Sequence, residues 1–221
     1  MKNHLKENKN RIIILFGAFI FQTLIYFITK LFQNNPVYLN NAIDDRIPFI
    51  PSFVIFYVMW YLFLILIPLL ILKYNKKVFD KYIVVSIVYA ILEGIIFILF
   101  PTTMNRQPLV VTDISTWVVD IIYKVDTPVC NLFPSAHCAF SILFIISILD
   151  VKEVKKEYKI LIIISSLLII LSTLFIKQHV VVDVLGALLI VPIYYILRKR
   201  KINLEESGIY AKIFCQKKRT K

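Results

Sequence analysis

Apolar and polar positions along this chain fall into long blocks, without the short-range alternation of an amphipathic strand. Six apolar blocks lie at approximately 11–32, 49–72, 82–100, 134–149, 159–176 and 180–197, separated by polar turns or loops. Each is near the roughly 20 residues that a helix needs to cross about 30 Å of hydrocarbon, some slightly short. Backbone polar groups in lipid must be satisfied within the segment, so such blocks are predicted to be helices. Pro36, Pro48, Pro51, Pro68, Pro101, Pro134 and Pro192 mark the block ends or kink them. The pattern predicts an all-α, polytopic, integral membrane six-helix bundle. The first block follows a basic N-terminus in the manner of a signal peptide, but it is long and has no small-residue cleavage pattern, so a retained helix is expected. The expected organisation is a basic N-terminus at 1–10, one membrane domain at 11–200 and a basic tail at 201–221.

Composition agrees with the membrane class: 59% of residues are hydrophobic and the mean hydropathy is +0.76. The net charge of +12 would suit nucleic acid, but its distribution argues against that partner. Of 26 Lys and Arg, 21 lie in clusters at 2–11, 73–81, 152–159 and 198–221, between or beside the apolar blocks. Clusters so placed are topology signals and meet anionic lipid headgroups. Six spans put both termini and all four clusters on one side, which the positive-inside rule makes cytoplasmic. The outer side then receives the 33–48 loop, the long 101–133 loop and the turn around Lys177 to His179. Three cysteines make no disulfide framework. Cys130 and Cys138 are expected to be buried thiols, with a bridge between them as the alternative.

The chemistry gathers at that outer side. His137 and His179 are separated by an apolar stretch, a basic turn and a second apolar stretch, so the chain crosses the membrane and returns between them. Asp183 follows His179 by four residues and shares its helix face. A carboxylate there can accept the Nδ1–H of the imidazole, leaving Nε2 free to attack or to take a proton. Pro134 suits a first helical turn, and the amides of Ser135, Ala136 and His137 would then form an anion site at a helix N-terminus. Asp126 and Asn131 precede this stretch and would either bond the site or shape a turn. Trp60, Tyr61 and Trp117 read as interface anchors or core. Glu93 is an intramembrane carboxylate with no assigned role. A proton-relaying transporter is a rival reading, but it would spread ionisable residues across the bilayer instead of gathering them at one face.

Pro134-Ser135-Ala136-His137 resembles the P-S-[GA]-H motif of the type 2 phosphatidic acid phosphatases. Ser172-Thr173, then Lys177-Gln178-His179 and Asp183, resembles their S-R-x5-H-x3-D motif, and Arg106-Gln107-Pro108 stands where their first motif ends in R-P. The resemblance covers about 82–190. It implies a metal-independent lipid phosphatase or phosphotransferase with no cofactor. His179 would attack phosphorus, Asp183 would orient it, and His137 would serve the leaving oxygen. Arg106, Lys177 and Ser135 would hold the phosphate of a lipid substrate, with Asp126, Asn131 and Ser172 behind them. The chain departs from the pattern twice. Leu99 stands where the first motif has lysine, and Thr173 where the third has arginine, a charge that Lys177 would supply. The F-P-S-x-H and K-Q-H-x3-D forms look like the branch with inositol phosphorylceramide and sphingomyelin synthases, which leaves hydrolysis and headgroup transfer both open.

Overall fold

The computed structural model describes residues 8–200 and 202. Residues 1–7, 201 and 203–221, which include most of the N-terminal segment, nearly all of the tail, and Cys215, lie outside the described residues. The helices are α1 (Lys9–Lys30), α2 (Ala42–Arg46), α3 (Val54–Tyr74), α4 (Lys76–Leu99), α5 (Ile114–Val125), α6 (Ala136–Asp150), α7 (Lys156–Phe175), α8 (Val181–Ala187) and α9 (Ile190–Arg198). A two-residue parallel bridge joins β1 (Val37–Tyr38) to β2 (Thr102–Thr103). Among the described residues, five segments are long and apolar enough to cross a membrane: α1, Pro51–Tyr74, α4, α7 and Val181–Arg198, the last running through α8 and α9. This is an all-α polytopic membrane bundle.

The fourth expected span, 134–149, is the short one. At 15 residues, α6 rises only about 22 Å, against about 30 Å for the 20 residues of α7. The two form a hairpin through the basic 150–156 turn, where Asp150 accepts from Tyr194 (2.8 Å) and pairs with Arg198 (2.9 Å). With that end shared, the His137 end of α6 stops short of the end of α7. The last span is also broken. Pro192 lacks the N–H that would reach the Leu188 carbonyl, so the helix restarts at Ile190 after α8.

The polar segments sort to two ends. At the basic end, Arg11 pairs with Asp80 between α1 and α4, through bonds of 2.8 and 3.0 Å, with both side chains buried. At the other end, the segments 31–53, 100–135 and 176–180 interlock. The Ile50 amide donates to the Phe175 carbonyl (2.9 Å), and Asn131 donates to Tyr26 O (3.0 Å) and Thr29 Oγ1 (2.9 Å) on α1. Thr102 Oγ1 accepts from the Leu132 and Phe133 amides (3.1 and 3.2 Å), fixing the approach to α6. The 101–133 segment is more than a loop. Asp113 caps α5, its carboxyl accepting from the Thr116 amide (2.8 Å), a bond that holds its pKa below the ordinary value. Helix α5 buries Val119 and exposes Ile114, Trp117, Ile121 and Val125 on the opposite face, a pattern suited to a lipid interface.

Between the ends, the core packs α3, α4, α6, α7 and α9 around Ile71, Phe79, Leu143, Phe144, Ile148, Ile169 and Ile190. Glu93 is buried against α1, where the Gln22 amide donates to it. Cys130 and Cys138 are buried free thiols, so the alternative bridge is not formed. One close approach bears on the site. A Cβ on Gly186 would lie 2.3 Å from the Phe133 ring, next to the segment that carries His137. A rigid ring held by its own main chain cannot yield as a flexible side-chain tip does. Gly186→Ala is therefore predicted to destabilise the bundle by about 1–3 kcal/mol. Thermal unfolding in detergent measures this, and an unchanged midpoint would mean that the ring moves freely.

Candidate active site

Asp183 is fully buried, one turn into α8. Its Oδ2 accepts from the Val180 amide (3.0 Å) and lies 3.2 Å from His179 Nδ1. A carboxylate can only accept when ionised, so this contact selects the Nδ1–H tautomer and leaves His179 Nε2 as the lone-pair nitrogen. The Asp183 carbonyl accepts from the Ser135 amide (3.3 Å), which joins the two histidine-bearing turns through the main chain. Ser135 is buried and caps α6, its Oγ accepting from the Cys138 amide (3.3 Å). Helix α6 thus starts at Ala136, with Pro134 outside it, two residues later than a proline at the first helical position would require. The ring centroids of His137 and His179 are 6.0 Å apart.

His137 lies between aromatic rings of α3. Tyr57 stacks on it at 4.3 Å and Trp60 at 4.0 Å, with Tyr61 edge-on at 6.1 Å. Its Nε2 is buried and has no partner among the described residues. Trp60, read from sequence as an anchor or core residue, is a core residue that also forms a wall of this site. The signal was present in the spacing of Tyr57, Trp60, Leu64, Ile67 and Ile71, which places one α3 face toward the bundle interior.

Arg106 reaches the same turn from the 100–135 segment. Its Nε donates to Lys177 O (3.0 Å), and its Nη2 donates to Asp126 Oδ2 (2.6 Å) and Gln178 Oε1 (3.1 Å). The guanidinium sits 4.7 Å over the Tyr123 ring, whose hydroxyl donates to Ile176 O (2.7 Å) and is pushed up to about 12 by burial. Asp126 also accepts from the Tyr26 hydroxyl, so it orients Arg106 and ties it to α1. Asn131 serves α1 in the same way, from a left-handed backbone (φ 57°). Ser172 bonds back to Ile169 O (2.6 Å) within α7 and is fully buried.

Lys177 is at the rim, also left-handed (φ 53°). Its ammonium donates to Asp44 O (2.9 Å) and Ile47 O (2.6 Å). Burial draws its pKa below the ordinary value, and the nearby Asp44 and Asp45 carboxylates act against this. Asp44 was not singled out from the sequence. It closes a capping box with Asn41, and its Oδ1 accepts from the Val181 amide (2.8 Å) at the start of α8. The Asn-x-x-Asp spacing at 41–44 was the available signal. Thr173, in place of the expected arginine, is fully buried, and its carbonyl accepts from the Gln178 and His179 amides (2.9 and 3.0 Å). A cleft of about 460 Å³ opens beside His179, with Asp44, Asn105, Tyr123 and Lys177 in its walls. Among the described residues, no three His, Cys, Asp or Glu side chains gather as a metal site would require.

Residues 22–197 match the PAP2 superfamily, the type 2 phosphatidic acid phosphatases. The chain belongs to that superfamily. Comparison with curated proteins and with solved structures gives no significant match. The matched span contains all three motif segments, and membership makes this a multi-pass membrane enzyme of the lipid phosphatase or phosphotransferase type. The candidate site includes the turn at 177–181, which Lys177 clamps to the 44–47 segment. Lys177→Met is predicted to speed amide hydrogen exchange across 42–47 and to cost about 1–3 kcal/mol of stability. Unchanged exchange would show that the ammonium does not hold that segment.

Proposed function

We propose that this protein hydrolyses the phosphate monoester or diphosphate of an amphiphilic lipid through a phosphohistidine on His179, at the extracytoplasmic face. The observation that carries this reading is the pairing of His179 Nδ1 with the buried Asp183 carboxylate, with His137 opposite at 6.0 Å. His179 Nε2 attacks phosphorus as the ester P–O bond breaks. His137, protonated at Nε2, gives that proton to the departing oxygen. The same nitrogen then takes a proton from water, whose oxygen attacks the phosphohistidine and restores His179. Arg106 supplies the fixed positive charge that the developing phosphoryl oxygens need. Phosphatidic acid, phosphatidylglycerol phosphate and polyprenyl diphosphate all carry the required group. The split of 21 basic residues against 5 supports a cytoplasmic location for both termini and an extracytoplasmic site.

Purified protein in detergent, offered a panel of phospholipids and polyprenyl diphosphates, should release free phosphate. Added diacylglycerol or ceramide tests the alternative, in which a lipid alcohol replaces water and the phospho-headgroup is transferred. Labelled substrate should trap an acid-labile, base-stable phosphoenzyme in the wild type and none in His179→Ala. Full activity in that variant would sink the mechanism. His137→Ala should slow substrates with poor leaving alcohols by about 100-fold or more while sparing activated aryl phosphates, as expected when a general acid is lost. Equal losses on both would make His137 a binding or structural group.

A further inference from the structure

We infer that Gln178 is a phosphoryl-binding residue, its side-chain amide donating to an oxygen of the bound phosphate beside Arg106. The inference rests on the proposed reaction and names a donor that the motif comparison does not supply. The superfamily's third motif has an arginine where this chain has Thr173, and that position is closed to a longer side chain. Thr173 is fully buried, its hydroxyl bonded to Ile170 O (2.7 Å) and within 3.5 Å of Cys138 Sγ. Lys177 directs two of its three N–H donors to the carbonyls of Asp44 and Ile47, which draws the ammonium toward the rim. The same turn offers a second, uncharged donor.

Gln178 meets the requirements. It precedes His179 directly, and its main-chain amide shares the Thr173 carbonyl with that of His179, so the two side chains spring from one rigid turn. Its side chain is buried, and its Oε1 accepts from Arg106 Nη2 at 3.1 Å. A guanidinium has no acceptor, so Arg106 dictates which way the amide faces: oxygen toward the cation, NH2 away from it. That NH2 is buried without a partner among the described residues, and so is Arg106 Nη1. A buried donor left unmade is costly. Two such donors, on side chains bonded to each other and next to the nucleophile, are the complement of an anion with several acceptor oxygens. Gln178 also keeps the donor set at a single positive charge, so the phosphoryl group is held by one cation and one oriented dipole.

The test uses the full-length protein in detergent and orthovanadate as a phosphoryl mimic. Gln178→Met removes the donor at nearly constant volume, and Gln178→Glu keeps an acceptor for Arg106 while removing the NH2. Both should weaken vanadate inhibition, and the thermal stabilisation that vanadate gives, by about 10- to 100-fold, the loss expected for a hydrogen bond to a charged group. Melting of the vanadate-free protein should be little changed in Gln178→Glu, because Arg106 keeps its partner. If both variants bind vanadate as the wild type does while the wild type turns over lipid, the role of Gln178 falls and the reaction stands. If the wild type hydrolyses no lipid phosphate yet binds vanadate in a Gln178-dependent way, the site stands and the proposed reaction falls. A wild type that neither binds nor is inhibited by vanadate overturns the inference.

Discussion

A carboxylate with no exposure inside a membrane bundle must be satisfied or it is not tolerated, and Asp183 is the group around which this end of the protein is organised. Its side chain closes the start of α8 through the Val180 amide and holds His179 in one tautomer. Its carbonyl receives the Ser135 amide at the cap of α6. One residue thus sets the orientation of the proposed nucleophile and ties the opposing histidine's helix to it. A neutral, isosteric Asn would keep an acceptor for Val180 but would lose the charge that favours an imidazolium, so electrostatics and geometry are separable here.

The network around Arg106 follows the same logic at larger scale. Its pair with Asp126 is largely buried, at 7% and 16% side-chain exposure. Such a pair contributes little net stability against well-packed apolar residues, but removing one partner leaves a stranded charge costing about 3–5 kcal/mol. What the pair contributes is placement. Asp126 also takes the Tyr26 hydroxyl from α1, and Arg106 spans to the Lys177 carbonyl and the Gln178 amide. The long segment between α4 and α6 is thereby fixed to the first helix and to the histidine turn together.

Much of this was legible in the chain. Blocks of apolar residues located the spans, and the distance from His137 to His179 brought both imidazoles to one end. The length of α6 was legible to within a residue, but its start was not, because an apolar run does not mark where a cap begins it; the buried Ser135 decided that. Helix α5 is largely apolar and capped by Asp113, but at 12 residues it is too short to read as a membrane span, so only the loop around it was legible. Trp60 looks like any aromatic in a membrane span until α3 is rotated against α6. Lys177 carries a charge suited to phosphate, but its backbone is left-handed and its ammonium meets two carbonyls donated by residues some 130 positions earlier. Side-chain partners at that sequence distance are set by tertiary packing, which no local pattern encodes.

The two helix ends at the site have opposite polarity, and the structure treats them differently. The N-terminus of α6 presents the positive end of its dipole where the phosphate is proposed to bind, and its first-turn amides have no helical acceptor. The C-terminus of α7 would bring the negative end of its dipole to the same place, which opposes an anion. There the terminal carbonyls are taken up one by one: Thr173 by the Gln178 and His179 amides, Leu174 by Lys177, Phe175 by the Ile50 amide, Ile176 by Tyr123 and Lys177 by Arg106. Several of the donors are the residues that also build the site. The α7 end is thus fully taken up, whereas the α6 end is capped only at the Cys138 amide, by Ser135 Oγ. The bond of Arg106 to the Lys177 carbonyl belongs to the same set.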